Sequence, residues 1–198
     1  MTFEKLSRKQ KTVFRWAYRP EAYALICDGS VRSGKTAAMA CSFIHWAMSQ
    51  FDGERFAICG NTVKSAERNI IMEIMQMVDI THYYDVSYVG GDSHLMTVSG
   101  CGKSNRFYVF GGKDEGSYKL VQGLTLAGVL FDEVALMPES FVNQRSPVPC
   151  LWTAPGCGLT ATRTAPNTGF TRTGYKKQTT AKEMTCCTCI SQCGITRS

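Results

Sequence analysis

The chain has 198 residues, 44% of them hydrophobic, and a formal net charge of +6. That length suffices for one domain with a real core. No run approaches about 18 uncharged apolar residues and the start, MTFEKLSRKQKTVF, lacks an apolar signal-peptide core, which argues against a membrane span or membrane partner and leads us to expect a cytosolic protein.

The charge is unevenly placed. Residues 1–144 carry 15 Lys+Arg and 15 Asp+Glu, a net of zero, whereas residues 145–198 carry seven cations and a single acid, Glu183. The basic character belongs to the tail, so net charge makes no case for nucleic-acid binding by the body. Cysteine divides in the same way. Cys27, Cys41, Cys59 and Cys101 are scattered through the body like ordinary buried thiols, while the tail holds Cys150, Cys157, Cys186, Cys187, Cys189 and Cys193. A composition break falls near residue 144.

In chain order, residues 3–18 predict an amphipathic helix, with Phe3, Leu6, Val13, Phe14 and Trp16 set among Lys and Arg. Gln10 lies on it, either on a solvated face or placed to hydrogen-bond an adenine edge. A short apolar run from Ala22 then stops at glycine and leads into Gly29-Ser30-Val31-Arg32-Ser33-Gly34-Lys35-Thr36, the pattern G-x-x-x-x-G-K-[ST] between a strand and a helix. Gly29 and Gly34 let the backbone turn its N–H groups inward, so that donors and a helix N-terminus face a phosphate. Lys35 is placed to reach the β- and γ-phosphates and Thr36 to hold Mg²⁺. A Gly-rich turn that merely caps a core helix would reproduce this pattern by accident in roughly one chain of this length in a hundred.

The next segment, AAMACSFIHWAMSQ, is apolar almost all round, as a helix buried against a sheet would be; His45 and Trp46 read as core or rim residues. Residues 55–60 predict a second strand. Asn61 is the expected N-cap of a helix to about Asp79, with Val63, Ala66, Ile70, Ile71, Ile74, Met75 and Val78 on its packed face. Residues 85–90, 94–99 and 106–110 read as strands, the last two joined by the hairpin glycines of GCGK. A loop and short helix follow in GGKDEGSYKLVQG, and then an apolar strand, LTLAGVLFDEV.

That strand runs into Asp132-Glu133. A buried strand ending in two acids about a hundred residues after a phosphate loop is the Walker B arrangement: Asp132 completes the Mg²⁺ shell through water, and Glu133 orients and deprotonates the attacking water. The expected fold is a three-layer α/β P-loop NTPase core of the ASCE motor type, incomplete, over residues 1–144. The glutamate favours a motor-type ATPase over a nucleotide kinase.

With GSVRSGKT, GGKDEGSYKLVQGLTLAGVLFDEV and MPESFVNQ in view, residues 1–144 resemble the large terminase subunit of tailed bacteriophages. The resemblance implies an ATP-driven motor that packs phage DNA in the cytoplasm of a bacterial host, working with a small terminase subunit and a portal. It also makes Arg32 a candidate to sense or stabilise the γ-phosphate, against a loop residue paired with solvent or a surface acid, and Gln10 a candidate adenine contact. ATP and Mg²⁺ are the implied cofactors.

After Gln144 the family pattern stops. The remaining 54 residues hold twelve Thr, six Cys and four of the six Pro without periodicity, and are expected to be largely disordered. Back-translated and regrouped by one base, this tail permits a text containing WFNCNPDGPKHW and HFTMWDNP, which resembles the missing terminase continuation. Loss of one G after the Gln144 codon would produce the switch. The tail is therefore expected to be frame-shifted, with DNA translocation and cleavage lost and hydrolysis at most slow and uncoupled. Cys186, Cys187, Cys189 and Cys193 read either as a small zinc site or as an unselected cluster, since C-C-x-C-x-x-x-C lacks a paired knuckle. The alternative functions are a non-catalytic remnant of a decayed terminase gene and another P-loop motor of helicase-like type.

Overall fold

The computed structural model describes residues 6–16, 18, 24–29, 34–113, 124–138, 141, 150–155 and 184–188. Its centre is a sheet in the order β3-β4-β5-β2-β6-β7-β1-β8. The parallel part comprises β1 (Ala24–Gly29), β2 (Arg55–Gly60), β5 (Lys103–Gly111), β6 (Gly128–Phe131), β7 (Cys150–Pro155) and β8 (Met184–Thr188). Antiparallel β3 (Asp85–Val89) and β4 (Leu95–Gly100) extend it beyond β5. Gly100 and Lys103 face each other across Cys101 and Gly102, both at positive φ (53° and 76°), which is the two-residue turn that GCGK predicts.

Alternation sorts the strand residues onto two buried faces, as expected of a sheet covered on both sides. Phe56 and Ile58 face one way, with α1 (Arg8–Trp16), α2 (Lys35–Gln50) and the helices after β2. Ala57 and Cys59 face the other, with Leu126, Val134, Met137 and Phe141. Phe43, Trp46, Phe51, Phe56 and Phe107 form a ring cluster with neighbouring centroids 5.0–6.0 Å apart. Gly128 is required here, because a Cβ would stand 2.7 Å from the Trp46 ring.

Asn105, fully buried on β5, ties this layer together. Its Oδ1 accepts from the Glu54 N–H (2.9 Å), and its Nδ2 donates to the carbonyls of Phe51 (3.1 Å) and Ala47 (3.3 Å) at the end of α2. Asn105→Ala removes these three hydrogen bonds and opens a void at a fully buried position, and is expected to cost about 2–4 kcal/mol, read as a lower denaturation midpoint. An unchanged midpoint would contradict this clamp.

The helix after β2 differs from the sequence expectation in two ways. Its N-cap is Thr62 rather than Asn61: Thr62 accepts from the Ser65 N–H (3.1 Å), and Ser65 Oγ accepts from the Thr62 N–H (2.9 Å). It is also not one regular helix. Val63–Ala66 is α-helical, Glu67–Ile71 is a π-turn, Met72–Gln76 is α-helical again, and the chain breaks at Met77 before Val78–Thr81. The wider turn shifts the 3.6-residue period. Ala66, Ile70, Ile71, Ile74 and Met77 are consequently the buried face, while Met75 and Val78 point outward.

His45 is a rim residue with both ring nitrogens engaged. Nε2 donates to the Asp79 carbonyl (3.1 Å) and Nδ1 accepts from the Tyr84 hydroxyl (3.2 Å), a pairing for the neutral ring. Burial pushes its pKa below the usual 6.5, only partly opposed by the Asp79 carbonyl and charge. An unfolded imidazole takes up its proton near 6.5 while the folded one resists, so stability falls as pH drops below that value. The melting temperature is expected to fall between pH 7 and 5, and His45→Gln to flatten that fall; an identical profile in the variant would contradict it.

Of the body cysteines, Cys27, Cys41 and Cys59 are buried as expected, and burial pushes the Cys41 thiol up to about 12. Cys101 is the exception, exposed at the hairpin tip. In the tail, β7 and β8 are strands that the sequence pattern does not announce. Cys186 and Cys187 lie on β8; Cys157, Cys189 and Cys193 lie outside the described residues.

Candidate active site

The parallel sheet brings the two sequence motifs to one edge. β1 ends at Gly29 and β6 at Phe131, and both pair with β7, on which Trp152 is in register with Ile26 on one side and Phe131 on the other. Phe131 and Ile26 are thus two strand spacings apart, about 10 Å, both strands point the same way, and β1 runs on to Gly29 beyond that level.

Gly34 reaches φ 73°, ψ 16°, the left-handed region that glycine enters without strain, and α2 starts directly after it. No side chain caps that helix. The first turn of α2 therefore presents backbone N–H groups and the positive end of its dipole to an anion. Lys35 and Thr36 open the helix, Lys35 only 8% exposed.

From the other side, Asp132 follows the last residue of β6 and is 5% exposed. Its N–H donates to the Cys59 carbonyl at the end of β2 (2.8 Å), which fixes the backbone. The Thr36 hydroxyl donates to Asp132 Oδ1 at 3.0 Å, across 96 positions of sequence. Glu133 adopts φ 56°, ψ 43°, a left-handed conformation that costs a non-glycine residue about 1–3 kcal/mol. It is the N-cap of the 3₁₀ turn Val134–Leu136, which buried Val134 and Met137 anchor.

Hard oxygen donors, a buried carboxylate and a hydroxyl in contact suit Mg²⁺, which takes one or two protein ligands together with phosphate oxygens and waters. Bound there, the ion would supply charge neutralisation for phosphate oxygens. Burial, and then the charge of Asp132, push the Glu73 carboxyl upward. Nothing in the helical pattern of residues 72–76 signals that this acid senses the site.

The structure thus brings together Gly34, Lys35, Thr36, Asp132 and Glu133, with Gly29 at the end of β1. Ser30, Val31, Arg32 and Ser33 lie outside the described residues. Gln10 is not on a solvated face. It is buried, and its Oε1 accepts from the Ser7 N–H (2.9 Å) while Ser7 Oγ accepts from the Gln10 N–H (3.2 Å), a capping box that starts α1. The S-x-x-Q spacing is the sequence signal for it.

A helix that starts directly after a left-handed glycine, beside a parallel strand that ends in acids, belongs to a three-layer α/β P-loop NTPase core. Among solved structures, the chain is similar to the large terminase of a thermophilic bacteriophage in its second crystal form, with 40% identity over 76% of this chain and 39% of that one, TM-score 0.70. The same terminase in complex with ATP-gamma-S gives 36% identity over 76% of this chain and 38% of that one, TM-score 0.66. The Thermus phage P74-26 large terminase ATPase domain shares the fold at 18% identity, covering 79% of this chain and 67% of that one, TM-score 0.55. The sequence matches no protein-family model and no curated protein. The chain spans about 39% of the length of the thermophilic phage's terminase, and it is the N-terminal ATPase part of a phage large terminase subunit.

Proposed function

We propose that this chain binds MgATP at the Gly29–Thr36 loop and hydrolyses it as the motor ATPase of phage DNA packaging. The observation that carries this reading is the 3.0 Å hydrogen bond from Thr36 to Asp132, which joins the helix after the phosphate loop to the acidic end of β6. Lys35 neutralises the β- and γ-phosphates, Thr36 and Asp132 hold the metal with its waters, and Glu133 draws a proton from the attacking water. Arg32 stabilises the γ-phosphate, and Gln10, whose Nε2 is not used in the capping box, donates to the adenine edge. The thermophilic phage terminase solved with ADP and with ATP-gamma-S supports nucleotide as the ligand. Phage DNA, a small terminase subunit and a portal are the partners of the full-length family on this reading, in the host cytoplasm, and this chain does not engage them productively.

From residue 145 onward the reading frame departs from that of a terminase, and this stretch supplies no coupling segment. Hydrolysis is then slow and uncoupled from DNA. The composition break at 144 favours a second reading, a remnant that binds nucleotide without turning it over. A steady-state phosphate-release assay separates the two. Turnover that requires Mg²⁺ and disappears in Lys35→Ala supports the ATPase; equal release from both proteins refutes it. The nucleotide sequence across codon 144 tests the frame, and an uninterrupted frame in independent isolates would refute the shift.

A further inference from the structure

The body's net charge of zero conceals a separation. Residues 1–20 carry six cations and one acid, a net of +5, and residues 21–144 carry nine cations and fourteen acids, a net of −5. Four of those six cations, Arg8, Lys9, Lys11 and Arg15, lie on α1. Gln10, Val13 and Trp16 form its buried side, against α2, where the Ser42 hydroxyl donates to the Val13 carbonyl (3.1 Å). Arg8, Lys11 and Arg15 lie on the opposite side, all exposed, and none has an ion-pair or side-chain hydrogen-bond partner among the described residues. Tyr18 continues the stripe one turn further at 73% exposure.

An acid-rich body would ordinarily draw such cations into surface ion pairs, yet these three pair with no acid among the described residues. Arg8 to Arg15 spans about 10 Å along the helix axis. A row of that length is poorly matched to a single small anion. It suits a linear polyanion such as the backbone of duplex DNA, which offers one charge per about 1.7 Å of axis. The aliphatic stems and an exposed phenol give contacts to sugar and phosphate without reading bases.

We infer that the outer face of α1, through Arg8, Lys11 and Arg15 with Tyr18 beside them, is a sequence-independent contact for the phosphate backbone of duplex DNA. The motor reading above supplies the choice of duplex DNA as the polyanion; the stripe itself does not depend on nucleotide binding.

The test is fluorescence anisotropy of a labelled 30-base-pair duplex titrated with full-length chain at 50–200 mM salt. The chain should carry Arg172→Gln, Lys176→Gln and Lys177→Gln throughout, to remove tail cations from the comparison. Adding Arg8→Gln, Lys11→Gln and Arg15→Gln is expected to make the slope of log K against log[salt] shallower by about 2.7, so the parent loses about 40-fold more affinity over that range than the variant. If the combined variant does not melt cooperatively, each single substitution should remove about 0.9 of slope. Superimposable slopes, no duplex binding by the parent at 50 mM salt, or binding to anionic phosphatidylserine vesicles but not to duplex would each overturn the inference. MgATP-induced thermal stabilisation, measured on the same proteins, should be equal in both; its absence from both, with the slope difference present, would sink the nucleotide reading and leave the α1 surface standing.

Discussion

Glu133→Gln is expected to bind MgATP with nearly the affinity of the parent while turnover falls by about 10²–10⁴-fold, the usual worth of a positioned general base. The amide keeps the shape and can still hydrogen-bond a water but cannot take its proton. Position 133 offers a second, opposite readout because its backbone is left-handed (φ 56°). Glu133→Gly relieves that conformation and is expected to raise stability by up to about 1 kcal/mol even as activity is lost. Stability gained by discarding the base is the signature of strain kept for function. Turnover of Glu133→Gln equal to the parent would remove Glu133 from the role. A lower melting temperature for Glu133→Gly would show that the residue's conformation is not a source of strain.

The second large effect concerns β7. Leu151 pairs with Leu25 of β1 on one side and Leu130 of β6 on the other, so its backbone lies in the interior of the parallel sheet. Leu151→Pro removes a ladder donor and places a ring against a neighbouring strand, at a cost of about 3 kcal/mol or more. Because β7 spaces the phosphate-loop strand from the acid-bearing strand, nucleotide binding should be lost together with stability. Circular dichroism melts and nucleotide titrations check both. An unaltered melt in Leu151→Pro would mean that residues 150–155 do not hold the sheet together.

The legibility of this chain follows where physics acts locally. The hairpin at Gly100–Lys103 is readable because two successive positive φ values need residues such as Gly102. The helix start at Gly34-Lys35-Thr36 and the strand ending at Asp132-Glu133 are readable because the pattern restricts residue types at fixed spacings. The π-turn at Glu67–Ile71 is not, since it alters the period within a run of apolar residues that fits a regular helix equally well. Gln10 is half legible: its place before the loop strand suggests a ligand contact, while the Ser7–Gln10 capping box is hidden inside what reads as a longer helix from residue 3. β7 and β8 are not legible at all. Pairing with β1 is a long-range event, and CLWTAP and MTCCT carry no alternation that announces it.

The central claim is that the loop after β1 and the acids after β6 grip one metal-bound triphosphate. Thermal stabilisation by ATP, with Mg²⁺ and with EDTA, tests it most directly. At a concentration about a hundredfold above Kd, MgATP is expected to add about 2.7 kcal/mol, a rise of roughly 5–11 °C. The rise should shrink without Mg²⁺ and vanish in Lys35→Ala, and Asp132→Asn should lose the Mg²⁺-dependent part alone. A shift that is absent from the parent, or that survives both substitutions unchanged, would contradict the account.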